Sequence, residues 1–267
     1  MNPTELGPDR LAIPPIDAVF DTSAGTTAVV VYGALALALM VWGMLDARRR
    51  VIVAAMLFGG AITSCIEPLL DVVTGALHPI VGQPAVFSLM GRSIPLWVIV
   101  CYALYYGGFG SINLIAFAKG VSRRGVWLWF LAPLLGDVLW EEVMLHYKLY
   151  YYYGNQPFVL IKFPLYQPAG NSTGELLGVT ALFFMRPYLS GWRWFAAAAL
   201  VMPLGGVMGF NAVCWPGFYA VHSNWPGWIV QLCGLMTWML AALMVHLVSL
   251  LVARDSPLRR EGKLILA

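Results

Sequence analysis

The sequence has little charge for its length. Only 11% of its 267 residues are charged and 60% are hydrophobic, whereas a soluble domain carries roughly 25% charged residues. The mean hydropathy of +0.75 supplies more apolar side chain than the interior of a soluble domain of this length can bury. We therefore do not expect a water-soluble globular protein, because the surplus apolar surface has to face lipid.

The sequence also lacks the patterns of several other protein classes. Its basic residues form no block of the kind that binds nucleic acid, so no nucleic-acid partner is expected. The histidines form no HExxH or HxxxH pair, and we predict neither a metal site nor a cofactor. The four cysteines lie in apolar stretches without CxxC spacing, which indicates small buried residues and not disulfides or a zinc knuckle. The N-terminus has neither a basic start nor an apolar stretch, so it is not predicted to be a cleavable signal peptide.

Apolar runs long enough to cross a bilayer, about 20 residues each, occur seven times in the chain. They lie near 26–46, 51–74, 94–118, 126–147, 171–185, 194–215 and 227–253. The sequence thus predicts an all-α polytopic membrane protein, a bundle of seven transmembrane helices. Residues 1–25 are predicted to form an external tail, 26–253 the membrane domain and 254–267 a cytoplasmic tail.

Basic residues predict the orientation, because Lys and Arg stay on the cytoplasmic side. Most of them follow the first, third or seventh run or bracket the link from the fifth to the sixth: Arg48, Arg49, Arg50, Lys119, Arg123, Arg124, Arg186, Arg193, Arg254, Arg259, Arg260 and Lys263. We therefore expect the N-terminus outside and the C-terminus in the cytoplasm. The segment 148–170 is then the longest external loop, and its tyrosines favour an interfacial aromatic belt over a substrate site.

Carboxyl groups inside the predicted spans indicate function, since an ionised group there costs about 2.5–3.5 kcal/mol on insertion scales. A spacing of four residues places two side chains on one helix face. Three spans show it: Glu67 and Asp71 in the second, Asp137 and Glu141 in the fourth, and Asn171 and Glu175 in the fifth. The sequence therefore predicts three helices with paired polar groups.

The predicted orientation places most of these groups at the same depth. Glu67, Asp71, Glu141, Glu175 and Asn211 of the sixth span all fall in the outer half of the membrane. We predict one polar chamber among the helices that opens toward the outer leaflet. The alternative is that the acids satisfy one another and neighbouring hydroxyls as interhelical contacts without a further role.

Several short motifs carry a family resemblance. The runs Glu67-Pro68-Leu69-Leu70-Asp71, Gly91-Arg92-Ser93-Ile94-Pro95-Leu96-Trp97 and Tyr105-Tyr106-Gly107-Gly108 resemble the actinobacterial AveC-type spirocyclase family. Those integral membrane proteins are associated with spiroketal formation in polyketides. The run Asp137-Val138-Leu139-Trp140-Glu141 resembles the Trp-Glu element of small membrane-bound terpene cyclases, which protonate an epoxide or alkene with intramembrane acids. These resemblances imply natural product biosynthesis in a bacterial plasma membrane.

Both kinds of cyclisation need a neutral acid that delivers a proton and a polar or aromatic surface that stabilises the resulting cation. Burial and a neighbouring carboxyl both favour the neutral acid, and aromatic faces attract cations. We predict an integral-membrane cyclase, of the isomerase or lyase type, that acts on a lipophilic polyketide or isoprenoid by general acid catalysis. The competing prediction is a proton-coupled transporter or a lipid-binding membrane protein.

The candidate residues follow from this chemistry. The candidate catalytic acids are Glu67, Asp71, Asp137 and Glu141. The candidate substrate-binding residues are Trp97, Tyr102, Tyr106, Trp140, Asn171, Glu175 and Asn211. The expected partners are a lipophilic small-molecule substrate and membrane lipid.

Overall fold

The computed structural model describes residues 6–8 and 10–260, and the fold is mostly helical. Its α-helices are α1 (Thr22–Met44), α2 (Ala47–Thr63), α3 (Glu67–Thr74), α4 (Leu96–Tyr102), α5 (Gly110–Ala118), α6 (Arg123–His146), α7 (Gln167–Met185), α8 (Trp192–Val221), α9 (Gly227–Val252) and α10 (Pro257–Arg260). Parts of both predicted tails, residues 1–5, 9 and 261–267, lie outside the described residues.

Two pairs of helices are continuous, so the described chain has seven long helices. A 3₁₀ turn at Ser64–Ile66 joins α2 to α3, and a π-helical segment at Ala103–Phe109 joins α4 to α5. Five of the long helices are long and apolar enough to cross a membrane: Thr22–Met44, Arg49–Thr74, Leu96–Ala118, Trp192–Val221 and Gly227–Val252. The prediction of a mostly helical protein with several helices long and apolar enough to span a membrane is confirmed at this level.

The two remaining long helices, α6 and α7, carry the polar groups that lower their hydropathy. Asp137, Glu141 and Glu142 lie in α6, and Asn171 and Glu175 lie in α7. Helix α7 packs against α5, α6, α8 and α9, and most of its residues are buried. A helix that is enclosed by other helices does not need an apolar surface all round. Its polarity is therefore compatible with a central position in the bundle.

Glycines let α7 and α8 approach closely. A Cβ added at Gly209 of α8 would lie 2.3 Å from the Cα of Gly174 in α7, and one at Gly205 would lie 2.6 Å from the backbone nitrogen of Gly178. Small residues at such positions allow the close backbone contact by which helices associate in lipid. This contact fixes α7 against the long helix α8.

The first helix begins earlier than the sequence indicated. Asp21 caps α1, since its Oδ1 accepts the backbone N–H groups of Ser23 and Ala24 at 3.0 Å each. A side-chain oxygen at this position satisfies N–H groups that have no partner within the helix. Helix α1 therefore begins at Thr22, inside the segment 1–25 that the sequence predicts as a tail.

Short strands lie in the loops between the helices, which the all-α prediction does not include. Three antiparallel pairs are formed: β1 (Ala76–Leu77) with β4 (Tyr151–Tyr152), β2 (Ala85–Leu89) with β3 (Arg92–Pro95), and β5 (Val159–Leu160) with β6 (Phe163–Pro164). In the first pair Ala76 lies opposite Tyr152 and Leu77 opposite Tyr151. Strands of two residues have too little periodicity to be recognised in a sequence. The first pair holds the loop after α6 against the end of α3.

Candidate functional site

A cavity of about 70 Å³ lies among α3, α4 with the π-helical segment, α6 and α7. Nine of the eleven candidate residues line it: Glu67, Asp71, Trp97, Tyr102, Tyr106, Asp137, Trp140, Glu141 and Asn171. The four candidate acids therefore share one cavity, although they come from helices that are far apart in the sequence. Its volume is enough for a few water molecules or for one polar group of a larger ligand.

A buried histidine connects the two acids of α3. The Nδ1 of His78 is 3.1 Å from Oδ2 of Asp71, and its Nε2 is 3.9 Å from Oε1 of Glu67. The other oxygen of Glu67 accepts a hydrogen bond from the Tyr102 hydroxyl. These contacts form a chain of four polar side chains, from Asp71 through His78 and Glu67 to Tyr102. Such a chain can orient a proton and move it between groups.

A glycine at the end of α3 brings His78 back to the acids. Gly75 adopts a left-handed conformation with φ of 66° and its N–H bonds to the carbonyl of Asp71. A Cβ added at Gly75 would also lie 2.6 Å from the carbonyl oxygen of Tyr153. Glycine is favoured at a helix end of this kind because other residues resist positive φ. The reversal of the chain after Gly75 places His78 over the helix face that carries Glu67 and Asp71.

His78 is 2% exposed and lies between aromatic rings. Its ring centroid is 5.5 Å from that of Tyr150, in a stacked arrangement, and 5.4 Å from that of Trp97. Burial lowers the pKa of His78, but the neighbouring carboxyls of Asp71 and Glu67 outweigh this effect and raise the pKa above its ordinary value of 6.5. The imidazole therefore keeps its proton to higher pH than a free histidine does.

The second acid pair faces the cavity from α6. Oδ2 of Asp137 accepts a hydrogen bond of 2.8 Å from Nδ2 of Asn171, which lies on α7. Glu141 lies one turn further along α6 and lines the same cavity. Its Oε2 is buried and has no hydrogen-bond partner among the described residues. Glu142 points elsewhere and lies near the backbone N–H groups of Lys162 and Phe163.

The π-helical segment and its flanks bring three tyrosines to the cavity. Tyr102, Tyr105 and Tyr106 all line it, and the rings of Tyr102 and Tyr106 stack with centroids 5.2 Å apart. The segment packs directly on α2, since a Cβ added at Gly107 would lie 2.4 Å from the carbonyl oxygen of Met56. A π-helical turn holds more residues than an α-helical turn and is frequent at functional sites.

Two candidate residues do not line the cavity, which corrects the prediction from depth. Asn211 is exposed on α8 and donates to the carbonyl of Val207 at 2.8 Å. Its chain neighbour Phe210 lines the cavity instead, because adjacent residues on a helix point about 100° apart. Glu175 is fully buried one turn beyond Asn171, and both of its oxygens accept hydrogen bonds from Nδ2 of Asn113, at 2.8 and 3.0 Å. Depth alone does not determine which face of a helix a residue occupies.

Several residues of the cavity wall are not among the candidates predicted from the sequence: His78, Tyr105, Tyr150, Tyr152 and Gln167. The interpretation of the loop tyrosines as an interfacial belt does not predict that Tyr150 and Tyr152 line the cavity, to which the pairing of β1 with β4 brings their loop. One feature of the sequence could have identified His78. It follows the Glu67 and Asp71 pair closely, and Gly75, which can end a helix, lies between them.

Buried polar atoms without a partner are concentrated around this cavity. Among the described residues, ten buried side-chain nitrogen or oxygen atoms have no hydrogen-bond partner. Five belong to residues that line the cavity: Asp71, Trp97, Tyr106, Glu141 and Tyr150. An unpaired buried polar group is costly, and most such groups in proteins find a partner. Their concentration at one place therefore indicates a site that binds a polar group or water.

Glu67, Asp71 and His78 also have the donor set of a divalent metal site. One ligand atom from each lies within 4.8 Å of the others. Two carboxylates and an imidazole suit Zn²⁺ or Mn²⁺. The sequence predicts no metal site, because His78 lies beyond the end of α3 and the sequence does not show that it is close to the two acids. The grouping of these three residues is therefore a finding of the structure.

Comparison of the chain with family models, with curated proteins and with solved structures gives no match. The local resemblance to AveC-type spirocyclases and membrane-bound terpene cyclases therefore stays a prediction from short motifs.

Proposed function

We propose that the protein is an integral-membrane cyclase that acts on a lipophilic polyketide or isoprenoid by general acid catalysis. The observation that carries this proposal is the shared cavity, which four carboxyl groups line together with one buried imidazole. Ionising all four carboxyls side by side in a membrane interior would be very unfavourable. At least one of them is therefore held neutral and is able to donate a proton.

For a dihydroxyketone, the reaction is the loss of one water. One hydroxyl oxygen adds to the ketone carbon while its proton passes to the ketone oxygen, which gives a hemiketal. A neutral carboxyl then protonates the hemiketal hydroxyl. The C–O bond breaks, water leaves and an oxocarbenium ion remains. The second hydroxyl oxygen attacks that carbon, and its proton returns to the carboxylate. For a polyene or epoxide, the same carboxyl protonates the alkene or epoxide oxygen, and a carboxylate takes up a proton at the end.

The walls of the cavity suit a cationic intermediate. Trp97, Tyr102, Tyr106 and Trp140 present aromatic rings to it, and such rings attract cations most strongly where water is excluded. The carboxylate that has just lost its proton lies beside the cation and stabilises it further. Among the described residues, no Lys or Arg side chain lines the cavity, and the charge of the protonated His78 is offset by Asp71 and Glu67 beside it.

We also propose that all seven long helices cross the membrane, with the N-terminus outside. The central, enclosed position of α7 supports this arrangement. Cysteines introduced one at a time at Ile16 and Arg254, in a variant without the native cysteines, test the orientation. We expect an impermeant thiol reagent to label position 16 in intact cells and position 254 only after lysis. The reverse pattern would overturn the orientation.

A proton-coupled transporter is the second candidate, and one observation favours it. Gln167, Asn171 and Glu175 lie on one face of α7, and the last of them continues the polar stripe beyond the cavity to Asn113 on α5. A carboxyl at that depth is able to take part in a proton path. Such a protein would move its cargo without changing it chemically, which distinguishes it from a cyclase.

Deletion of the gene in its native host tests the proposed function and also reveals the substrate. We expect the deletion strain to accumulate an uncyclised lipophilic precursor, which is one water heavier than the missing product for a spiroketal and equal in mass for a terpene. The wild-type gene should restore the product, and the Asp71→Asn gene should not. Unchanged lipid-soluble metabolites in the deletion strain, measured by mass spectrometry, would contradict the cyclase.

Treatment with a chelator tests whether the cyclisation needs a metal ion. If protons and not a metal ion drive cyclisation, membranes treated with EDTA should convert the accumulated precursor at the rate of untreated membranes. Loss of conversion that Zn²⁺ or Mn²⁺ restores would instead assign Glu67, Asp71 and His78 to a metal site.

A further inference from the structure

A second, largely apolar cavity adjoins the first. This crevice has a volume of about 180 Å³ and lies between α1, the joined helices α4 and α5, and α6. Its own lining residues are Tyr32, Leu35, Leu104, Phe109 and Gly136. Four further residues line both the crevice and the polar cavity: Cys101, Tyr105, Asp137 and Trp140. The two spaces therefore meet at a candidate catalytic acid.

The exposure of the lining residues falls from one end of the crevice to the other. Leu35 is 47% exposed on α1, a helix that is mostly unburied, whereas Tyr32 is 1% exposed and Asp137 is 6% exposed. In a membrane, the exposed surface of α1 faces lipid. The crevice thus opens toward the hydrocarbon and ends at the carboxyl of Asp137.

A poorly satisfied polar atom lies at the inner end. The hydroxyl of Tyr32 is buried and bonds to no nitrogen or oxygen atom of the described residues. Its neighbour is the thiol of Cys101, and a thiol is only a weak hydrogen-bonding group. The ring of Trp140 packs on the ring of Tyr32 with centroids 4.2 Å apart, which leaves little freedom for the hydroxyl to move away. An oxygen atom of a bound molecule, placed between Tyr32 and Asp137, would provide the stronger partner that a buried hydroxyl needs.

The charges exclude an anionic ligand. Among the residues that the structure describes, those lining the crevice and the polar cavity include several carboxyls and no Lys or Arg. A phosphate or a fatty-acid carboxylate would find no Lys or Arg and would be repelled by the acids, because the one imidazolium of the polar cavity, His78, already faces Asp71 and Glu67. A neutral oxygen such as a hydroxyl or ketone, in contrast, can bond to a carboxyl and to the Tyr32 hydroxyl.

We propose that the crevice binds the hydrocarbon chain of a neutral, long-chain alcohol or ketone that enters sideways from the lipid, with its oxygen-bearing end at Asp137. This proposal rests on the proposed cyclase function and narrows the class of substrate that the cyclase would accept. It also explains how a polar cavity of only about 70 Å³ can serve a large substrate: the reacting end enters the cavity and the rest of the chain stays in the crevice.

Gly136 offers a way to block the crevice. A Cβ at this position would meet only the ring of Phe109, at 3.6 Å, so a side chain can be added without a backbone clash. In Gly136→Leu the added atoms extend into the crevice. Gly33 on the neighbouring helix α1 does not line the crevice and has nothing within 4 Å of its added Cβ, so Gly33→Leu is a matched control.

The test uses photolabelling of the protein in lipid nanodiscs. The probe is hexadecanol with a diazirine in mid-chain, and the comparison probe is the corresponding alkane without the hydroxyl. We expect the alcohol to label peptides around Leu35 and Leu104, in competition with unlabelled hexadecanol. Gly136→Leu should lower this labelling about tenfold, the equivalent of about 1.4 kcal/mol, while Gly33→Leu should leave it unchanged. Leu104→Trp provides a second blocking variant if Gly136→Leu fails to fold.

Equal labelling by the alcohol and the alkane, or labelling that neither blocking variant lowers, would show only ordinary lipid at this surface and would overturn the proposal. A failure of the proposed binding mode can be distinguished from a failure of the proposed cyclase activity. The photolabelling measures binding alone, whereas the metabolites of the deletion strain report the chemistry.

Discussion

Asp71→Asn and Glu67→Gln are each expected to lower cyclisation by about 10²-fold or more while the protein still folds and inserts into the membrane, the usual scale for the loss of a general acid. An amide retains the size and much of the hydrogen bonding of the acid but cannot donate its proton. The two residues are not equivalent, because Asp71 is hydrogen-bonded to Nδ1 of His78 whereas Glu67 faces Nε2 and accepts from Tyr102. Turnover of the accumulated precursor, at matched protein levels in membranes, measures both effects.

The double variant distinguishes a shared role from two separate ones. Because Glu67 and Asp71 contact the same imidazole, the double amide variant should be little worse than the poorer single variant. Glu142→Gln is the matched control: Glu142 adjoins Glu141 in the chain but does not line the cavity. We expect this variant to retain close to full activity.

Near-full turnover in either single variant would remove that residue from the mechanism and would assign the acid to Asp137 or Glu141. If the amide variants of all four acids retain activity, acid catalysis is wrong. The interhelical interpretation would then be the better account of these carboxyls.

The helical period predicted which acids share a helix face but not how the helices meet. Glu67 with Asp71 and Asp137 with Glu141 each lie one turn apart on a single helix, as the spacing of four residues requires. The meeting of α3 with α6 around one cavity depends on contacts between distant parts of the chain, and neither helix carries a pattern that identifies its neighbour. Asn211 shows the limit of the depth argument, because its helix turns Phe210 toward the cavity in its place.

The long apolar helices were predictable from the sequence, whereas the loops were not. Long apolar runs predicted the helices because lipid accepts only segments that satisfy their own backbone hydrogen bonds. The loops follow no such constraint: the turn at Gly75 depends on one positive φ, and the pairing of β1 with β4 joins residues that are far apart in the sequence. These loops bring His78, Tyr150 and Tyr152 to the cavity, so these three site residues were not predicted from the sequence.

His78→Gln is expected to lower cyclisation by about 10²-fold and to remove a pH dependence that the wild-type protein shows. The raised pKa of His78 means that its proton is bound more tightly in the folded than in the unfolded protein. This tighter binding contributes to the free energy of unfolding. The contribution is fully present below the ordinary histidine pKa of about 6.5 and is lost as the pH rises through the higher pKa of His78 in the folded protein. Asp71 and Glu67 favour the charged imidazole, while burial and the more distant Arg92 oppose it.

The wild-type unfolding temperature in detergent should therefore fall as pH rises through this range. His78→Gln should lack this fall, whereas His146→Gln, at an exposed histidine, should retain it. The cyclisation rate of the wild-type protein should decrease over the same pH range, because the imidazolium that positions the proton near Glu67 is lost. A His78→Gln variant with the wild-type pH profile would show that His78 has only a structural role.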